Sequence, residues 1–181
     1  MRRWYDQNPI KIFILTLTLD FYNLWKADEY FLKIALLTSE RSNCIKRKVG
    51  AIIVKDNRIL SLGYNGTPFS MKNCFEGGCK RCYDQWFEKN TNNSVINSGK
   101  NLDLCMCLHA EDNALLFISQ NDIKDSTIYI TLFPCITCLK KILQCKIKRI
   151  VYIADYNIEI QNMTFDLIKD TNIKIEKITL R

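Results

Sequence analysis

The only histidine in the chain, His109, opens the triplet His109-Ala110-Glu111, and Pro134-Cys135-Ile136-Thr137-Cys138 follows further along. A zinc ion that does chemistry takes three protein ligands in a tetrahedral arrangement and leaves the fourth position open. One histidine and a Cys-x-x-Cys pair supply three: His109, Cys135 and Cys138. Glu111, two residues past the histidine, suits a carboxylate that moves protons for a water in the open position without itself ligating the metal. A lone histidine or a lone Cys-x-x-Cys is more often a core feature. The ordered combination with the glutamate outweighs that reading and implies hydrolysis.

Two helix starts must hold these groups. A helix beginning at His109 and running through Asn113-Ala114-Leu115-Leu116-Phe117 brings the Glu111 carboxylate within reach of the water. Pro134 is tolerated in a helical first turn, and a helix N-terminus there lowers the thiol pKa of Cys135 and Cys138. Around them, helical spacing over residues 28–40 is followed by apolar runs at 49–54 and 58–62, which flank Lys55-Asp56-Asn57 as a hairpin. A strand over 126–132 leads into the second zinc helix, which runs to about residue 144. A strand at 149–154, a helix at 162–169 and a strand at 173–178 complete the alternation. Such βαβ order predicts a mostly parallel sheet with helices on its faces. Residues 88–100, rich in Asn and Ser, read as a mobile loop.

The pattern of His-x-Glu with a later Pro-Cys-x-x-Cys is that of the zinc-dependent nucleobase deaminases. Longer stretches narrow it. Arg41-Ser42-Asn43-Cys44-Ile45-Lys46-Arg47-Lys48-Val49-Gly50, Gly63-Tyr64-Asn65-Gly66-Thr67-Pro68, Asn73-Cys74-Phe75-Glu76-Gly77-Gly78-Cys79-Lys80-Arg81-Cys82 and Cys105-Met106-Cys107-Leu108-His109-Ala110-Glu111-Asp112-Asn113-Ala114-Leu115-Leu116 resemble the deoxycytidylate (dCMP) deaminases, in particular the fungal type. The resemblance runs from about residue 25 to the C-terminus. It implies an α/β protein with the three-layer α-β-α cytidine-deaminase-like fold, built on a mostly parallel mixed sheet of about five strands. It also implies a deaminase domain over residues 25–181 with a zinc-rich insertion at about 73–107, preceded by an N-terminal arm, residues 1–24. Fungal relatives carry a further N-terminal domain of nucleotide-kinase appearance, and no Gly-rich phosphate loop stands among residues 1–24.

The activity implied is zinc-dependent hydrolysis of dCMP to dUMP and ammonia, with Glu111 as proton shuttle and dUMP passing to thymidylate synthesis. Asn65 corresponds to the asparagine that hydrogen-bonds the deoxyribose hydroxyl, and Ala110 to a further substrate contact. Tyr156 matches a tyrosine near the phosphate. Arg47 and Lys48 are candidates for the triphosphate of an effector, dCTP as activator or dTTP as inhibitor, and the family forms homo-oligomers, here expected to be a hexamer. The bland readings are a turn residue for Asn65, a core tyrosine for Tyr156 and solvated charges for the cations. The other cysteines look like a structural zinc site. Cys79-x-x-Cys82 after Gly77-Gly78 has the form of a zinc knuckle. Second-zinc relatives place ligands at positions matching Cys44, Cys74 and Cys107, with the fourth open among Cys79, Cys82 and Cys105. Six thiolates also allow more than one ion. Cys145 reads as plain core.

Composition is compatible with this. The chain has 181 residues and is 48% hydrophobic, enough for one sizeable core. Nine cysteines in metal-type groups, with no signal peptide, point to a reducing compartment, cytoplasmic or nuclear. The apolar run at residues 12–19 is too short to span a membrane. The net charge of +7 is scattered in short clusters without an aromatic-lined basic stripe, so a nucleic-acid partner is not expected. Two other readings stand beside dCMP deamination. One is a deaminase of another cytosine or adenine substrate, as nucleoside or within a polynucleotide; the other is a non-catalytic zinc protein, which has no need of Glu111.

Overall fold

The structure is a computed structural model, and residues 26–92, 102–156 and 158–180 are described. The arm at 1–24, with its apolar run at 12–19, and positions 93–100 of the expected loop lie outside the described residues. In chain order the elements are α1 (Ala27–Ser39), β1 (Gly50–Lys55), β2 (Arg58–Tyr64), α2 (Lys80–Asn92), α3 (Ala110–Leu116), α4 (Gln120–Ile123), β3 (Thr127–Leu132), α5 (Ile136–Gln144), β4 (Arg149–Ala154), α6 (Ile158–Ile168) and β5 (Lys174–Lys177).

The five strands form one mixed sheet in the order β2-β1-β3-β4-β5. Expectation favoured parallel pairings, and these are β3 with β4 and β4 with β5, joined through α5 and α6. The pairings of β1 with β2 and with β3 are antiparallel, so the sheet divides evenly. Local chemistry dictates the first of these. Asp56 and Asn57, the two residues between β1 and β2, both have positive φ (50° and 59°), the backbone of a tight hairpin turn.

Alternation along the strands sorts the core into two layers. Ile52, Val54, Tyr129 and Val151 face α1, packing on Phe31, Leu32 and Ala35. Ala51, Ile53, Ile128, Ile130 and Ile150 face the other way, onto Ala110, Ala114 and Leu115 of α3 and Leu139 and Ile142 of α5. The expected three layers result.

Three boundaries differ from expectation. α2 takes in residues 88–92, the start of the stretch expected as loop; there Asn90 Nδ2 donates to Trp86 O (2.7 Å) and Thr91 Oγ1 to Phe87 O (2.8 Å), so these polar side chains find partners within the helix. α6 begins at Ile158 rather than at 162. Pro134 lies outside the helix it was expected to open, since α5 starts at Ile136 with Cys135 as N-cap.

A polar tie joins α1 to the parallel half of the sheet. Arg149 on β4 donates to both carboxylate oxygens of Asp28 (2.7 and 2.9 Å), and Tyr129 Oη donates to the same group (2.7 Å). Arg149 also reaches Glu176 on β5. The hydrogen bond from Arg149 holds the Asp28 carboxyl below its ordinary range, against the effect of burial. The unfolded chain therefore takes up this proton at a higher pH than the folded one. The stabilisation is fully present above the ordinary aspartate value of about 3.9 and is lost as pH falls through the lower folded value. Asp28→Asn should cost on the order of 1 kcal/mol at pH 7, lowering Tm by about 2–4 °C. Thermal melts from pH 7 to 3 should show that difference shrinking; a constant difference would mean that ionisation is not its source.

Candidate active site

Each ligand candidate sits where a helix begins. His109 is the N-cap of α3 and Cys135 the N-cap of α5, both with extended backbone, while Cys138 lies in the first turn of α5. α3 is seated on β2 with almost no clearance: a Cβ on Gly63 would fall 2.1 Å from Ala110 O and 2.4 Å from Ala114 N. Ser61 Oγ donates to Ala114 O (2.7 Å) and Asn113 Nδ2 to Tyr64 O (2.6 Å) across the same seam. Just ahead of the histidine, Leu108 exchanges backbone hydrogen bonds with Gly66 (2.9 and 3.2 Å). Lys141 on α5 pairs with Asp112 on α3 at 2.6 Å, tying the two helices together.

His109 Nδ1 lies 3.2 Å from Cys138 Sγ and 3.5 Å from Cys135 Sγ, and the three donor atoms lie within 4.8 Å of one another. Tetrahedral zinc bonded to nitrogen and sulfur sets these donors about 3.6 Å apart for N to S and about 3.8 Å for S to S. The donor set fits zinc. The closeness of these groups also shifts their protons. The Cys135 thiol is drawn down to about 4, first by the hydrogen bond from Cys138 and also by His109, and the neighbouring negative charge pushes Cys138 up. The bond to Cys135 raises His109 to about 9. Two buried thiolates this close are both tolerated only opposite a cation. Glu111 is buried, and burial pushes its carboxyl up to about 7, with His109 pulling the other way.

A cavity of about 100 Å³ opens beside these groups. Its walls include Asn65, Ala110 and Tyr156, all three candidate substrate contacts, together with Arg47. The Arg47 guanidinium stands 6.0 Å above the Tyr156 ring, a cation–π arrangement. Lys48 is not brought in; it pairs with Glu40 at 2.7 Å among exposed side chains. Asn65 is not a left-handed turn residue, since it is absent from the positive-φ positions of the described chain. Its Oδ1 accepts from Val49 N and Ser42 Oγ (both 2.8 Å) and its Nδ2 donates to Arg47 O (2.8 Å). Next to it Gly66 is closely packed, for a Cβ there would lie 2.8 Å from Asn43 Oδ1.

Sequence reasoning missed several wall residues. Phe133 and Leu132 lie just before the Cys-x-x-Cys, where apolar strand residues carry no separate signal. Lys46 and Arg81 also line the cavity and had been visible only as members of charge clusters. Ser42, which positions Asn65, sits in a motif quoted for other reasons. Among the remaining cysteines, Cys82 stands with Cys44, Cys74 and Cys107, the four sulfurs within 4.8 Å of one another. Cys145 is half-buried against the core.

Comparison with known proteins agrees with this geometry. The family described as cytidine and deoxycytidylate deaminase zinc-binding region matches residues 25–154. The chain is 46% identical over 133 residues to the deoxycytidylate deaminase of Schizosaccharomyces pombe, covering 73% of the chain and 38% of that protein. It is 40% identical over 151 residues to that of Saccharomyces cerevisiae, covering 83% of the chain and 44% of the relative. The chain thus spans about two fifths of the length of these fungal relatives. A crystal structure of the dCMP deaminase from cyanophage S-TIM5, in complex with dCMP and dUMP, superposes with a TM-score of 0.59 at 32% identity, covering 83% of this chain and 95% of that one.

The seam at Gly63 yields a test. Gly63→Ala forces α3, and with it His109 and Glu111, away from β2. It should lower stability by about 1–3 kcal/mol and speed zinc loss to a chelator. Thermal unfolding and a chelator time course check this; if neither changed, the catalytic helix would not be positioned through that contact.

Proposed function

Because the chain belongs to the cytidine and deoxycytidylate deaminase family, we propose that it hydrolyses dCMP to dUMP and ammonia, supplying dUMP for thymidylate synthesis. The observation that carries this reading is the meeting of His109, Cys135 and Cys138 at zinc distances, with His109 and Cys135 lining one cavity together with buried Glu111 and with Asn65. These three residues would hold the zinc, which when bound supplies Lewis-acid activation of water at neutral pH. Glu111 takes a proton from the attacking water and delivers it to N3 of the cytosine ring, then takes the second proton from the new C4 hydroxyl and passes it to the departing amino nitrogen. Buried beside the open position and bound to no metal, the Glu111 carboxylate is free to accept a proton and return it. Water adds at C4, the C4–N4 bond breaks, and ammonia leaves.

The remaining contacts belong to the same proposal. Asn65 offers its amide to the sugar hydroxyl, Ala110 borders the base, and Tyr156 with Arg47 faces the phosphate. Arg47 therefore suits substrate phosphate at least as well as an effector, and Lys48, out on the surface, is left as an effector contact for dCTP or dTTP. A structural zinc is assigned to Cys44, Cys74, Cys107 and Cys82. Homo-oligomerisation, with a hexamer as the expected state, has support in the bare apolar side chains Phe69 (100% exposed), Phe117 (80%) and Leu37 (72%). The cytoplasm is the proposed location. All nine cysteines are free of disulfides, and no helix among the described residues is long and apolar enough to cross a membrane.

Glu111→Gln should retain zinc and lose turnover by ~10²-fold or more, measured as ammonia release from dCMP alongside metal content; near-normal turnover would remove Glu111 from the mechanism. The phosphate forms charge-assisted hydrogen bonds that a nucleoside cannot make. kcat/KM for dCMP should accordingly exceed that for deoxycytidine by about 10- to 100-fold. Equal rates on cytosines within single-stranded DNA would transfer the assignment to a polynucleotide substrate.

A further inference from the structure

Six cysteines outside the catalytic triplet gather in one cluster, and their arrangement has more order than a single metal site requires. The sulfurs of Cys44, Cys74, Cys82 and Cys107 lie within 4.8 Å of one another, and so do those of Cys79, Cys82, Cys105 and Cys107. The two quartets share Cys82 and Cys107. Sulfur–sulfur distances across the cluster are 4.0 Å for Cys44 to Cys82, 3.8 Å for Cys79 to Cys105 and 3.7 Å for Cys82 to Cys105. The edge of a four-thiolate zinc tetrahedron is about 3.8 Å.

We propose that these six thiolates bind two zinc ions, with Cys82 and Cys107 bridging both, Cys44 and Cys74 completing the first tetrahedron, and Cys79 and Cys105 completing the second. The proposal extends the single structural zinc assigned above and is independent of the substrate reading. One ion in the first quartet would leave the sulfurs of Cys79 and Cys105 packed against its ligands and outside the coordination sphere, Cys79 fully buried. A second ion removes that difficulty without adding net charge, because two divalent ions against six thiolates carry the same formal charge as one against four. Backbone N–H groups also support both ends of the cluster. Arg47 and Ile45 donate to the sulfurs of Cys44 and Cys74, and Met106 N donates to Cys79 Sγ at 3.3 Å. Lys46 and Arg81 stand alongside and offset the residual negative charge.

The cluster would brace the active site. Cys44, Cys82, Cys105 and Cys107 form part of the cavity wall, and Cys107 stands two residues ahead of His109. The shared sulfurs would bind three chain segments, around residues 44, 74–82 and 105–107, into one rigid unit.

Native mass spectrometry of the zinc-saturated full chain should count three zinc ions, and Cys135→Ala, which damages only the catalytic site, should count two. Cys79→Ala should also lose one ion while retaining the first tetrahedron. Cadmium-113 substitution supplies a readout that does not require a variant to fold. The wild-type protein should give two resonances in the four-thiolate range, coupled to each other through the shared sulfurs, apart from the His-Cys₂ signal. One uncoupled four-thiolate resonance with two zinc ions per chain would overturn the bridged cluster while sparing the single structural zinc. No four-thiolate resonance would overturn both.

Discussion

The zinc site proposed here requires three donors from two separate stretches of chain to converge within the span of one small ion, with a fourth direction left open. That constraint explains where the ligands sit. A helix N-cap has extended backbone and a side chain free of the helical ladder, so it can lean towards a partner while the helix behind it is packed in the core. His109 and Cys135 use the same device on α3 and α5. The helices behind them are held by the sheet: α3 through Gly63 and Ser61 of β2, and α5 through Leu139 and Ile142 against the layer formed by Ile128, Ile130 and Ile150. The Asp112–Lys141 pair then sets one helix relative to the other at a partly buried point, where screening is weaker than on the open surface.

Among the described residues, the other wall of the cavity has no such core behind it. Between β2 and α3 the chain runs through loops, two 3-10 turns and α2, and the buried cluster formed there consists of Cys74, Cys79, Cys82 and Cys107. Apolar burial on that scale cannot order a long insertion against the entropy of fixing it. Metal binding at the proposed thiolate site would, since the free energy of forming such a site is also folding free energy. The sheet and the thiolate cluster therefore supply complementary halves of one site. Their junction is the Gly66–Leu108 bridge, immediately before His109.

Much of this was legible in the sequence, for identifiable reasons. The candidate zinc donors His109, Cys135 and Cys138, with Glu111 beside them, were visible because zinc chemistry restricts ligand type, spacing and order, and the structure brings these residues together. Strands β1 to β5 were visible through their apolar runs, and the hairpin through Asp56-Asn57. Less legible were features that depend on three-dimensional proximity. Nothing in the spacing of Cys79, Cys82 and Cys105 says which sulfur joins Cys44, Cys74 and Cys107. That follows only once the start of α2 carries Cys82 between the other segments. The extension of α2 through residues 88–92 was hidden because its Asn and Thr side chains satisfy their own helix rather than display an apolar stripe. The antiparallel pairing of β1 with β3 was hidden as well, since the connection between them is an insertion whose route the sequence does not encode locally.

Asn65 shows why a binding role and a structural role are not alternatives. Its amide oxygen takes hydrogen bonds from the backbone of Val49 and the hydroxyl of Ser42, which leaves only one orientation of the amide plane that also places Nδ2 against Arg47 O. An amide nitrogen has two hydrogens, and the bond to Arg47 uses one. The direction of the other is then set before any ligand arrives, so a sugar hydroxyl would meet a donor that loses little freedom on binding. The same three bonds hang the segment from Ser42 to Val49 on the cavity rim. That segment carries Cys44 to the thiolate cluster and Arg47 to Tyr156. One buried side chain thereby couples the cysteine-rich wall to the surface proposed for the nucleotide, and removing it would loosen Arg47 and the cluster as well as the proposed sugar contact.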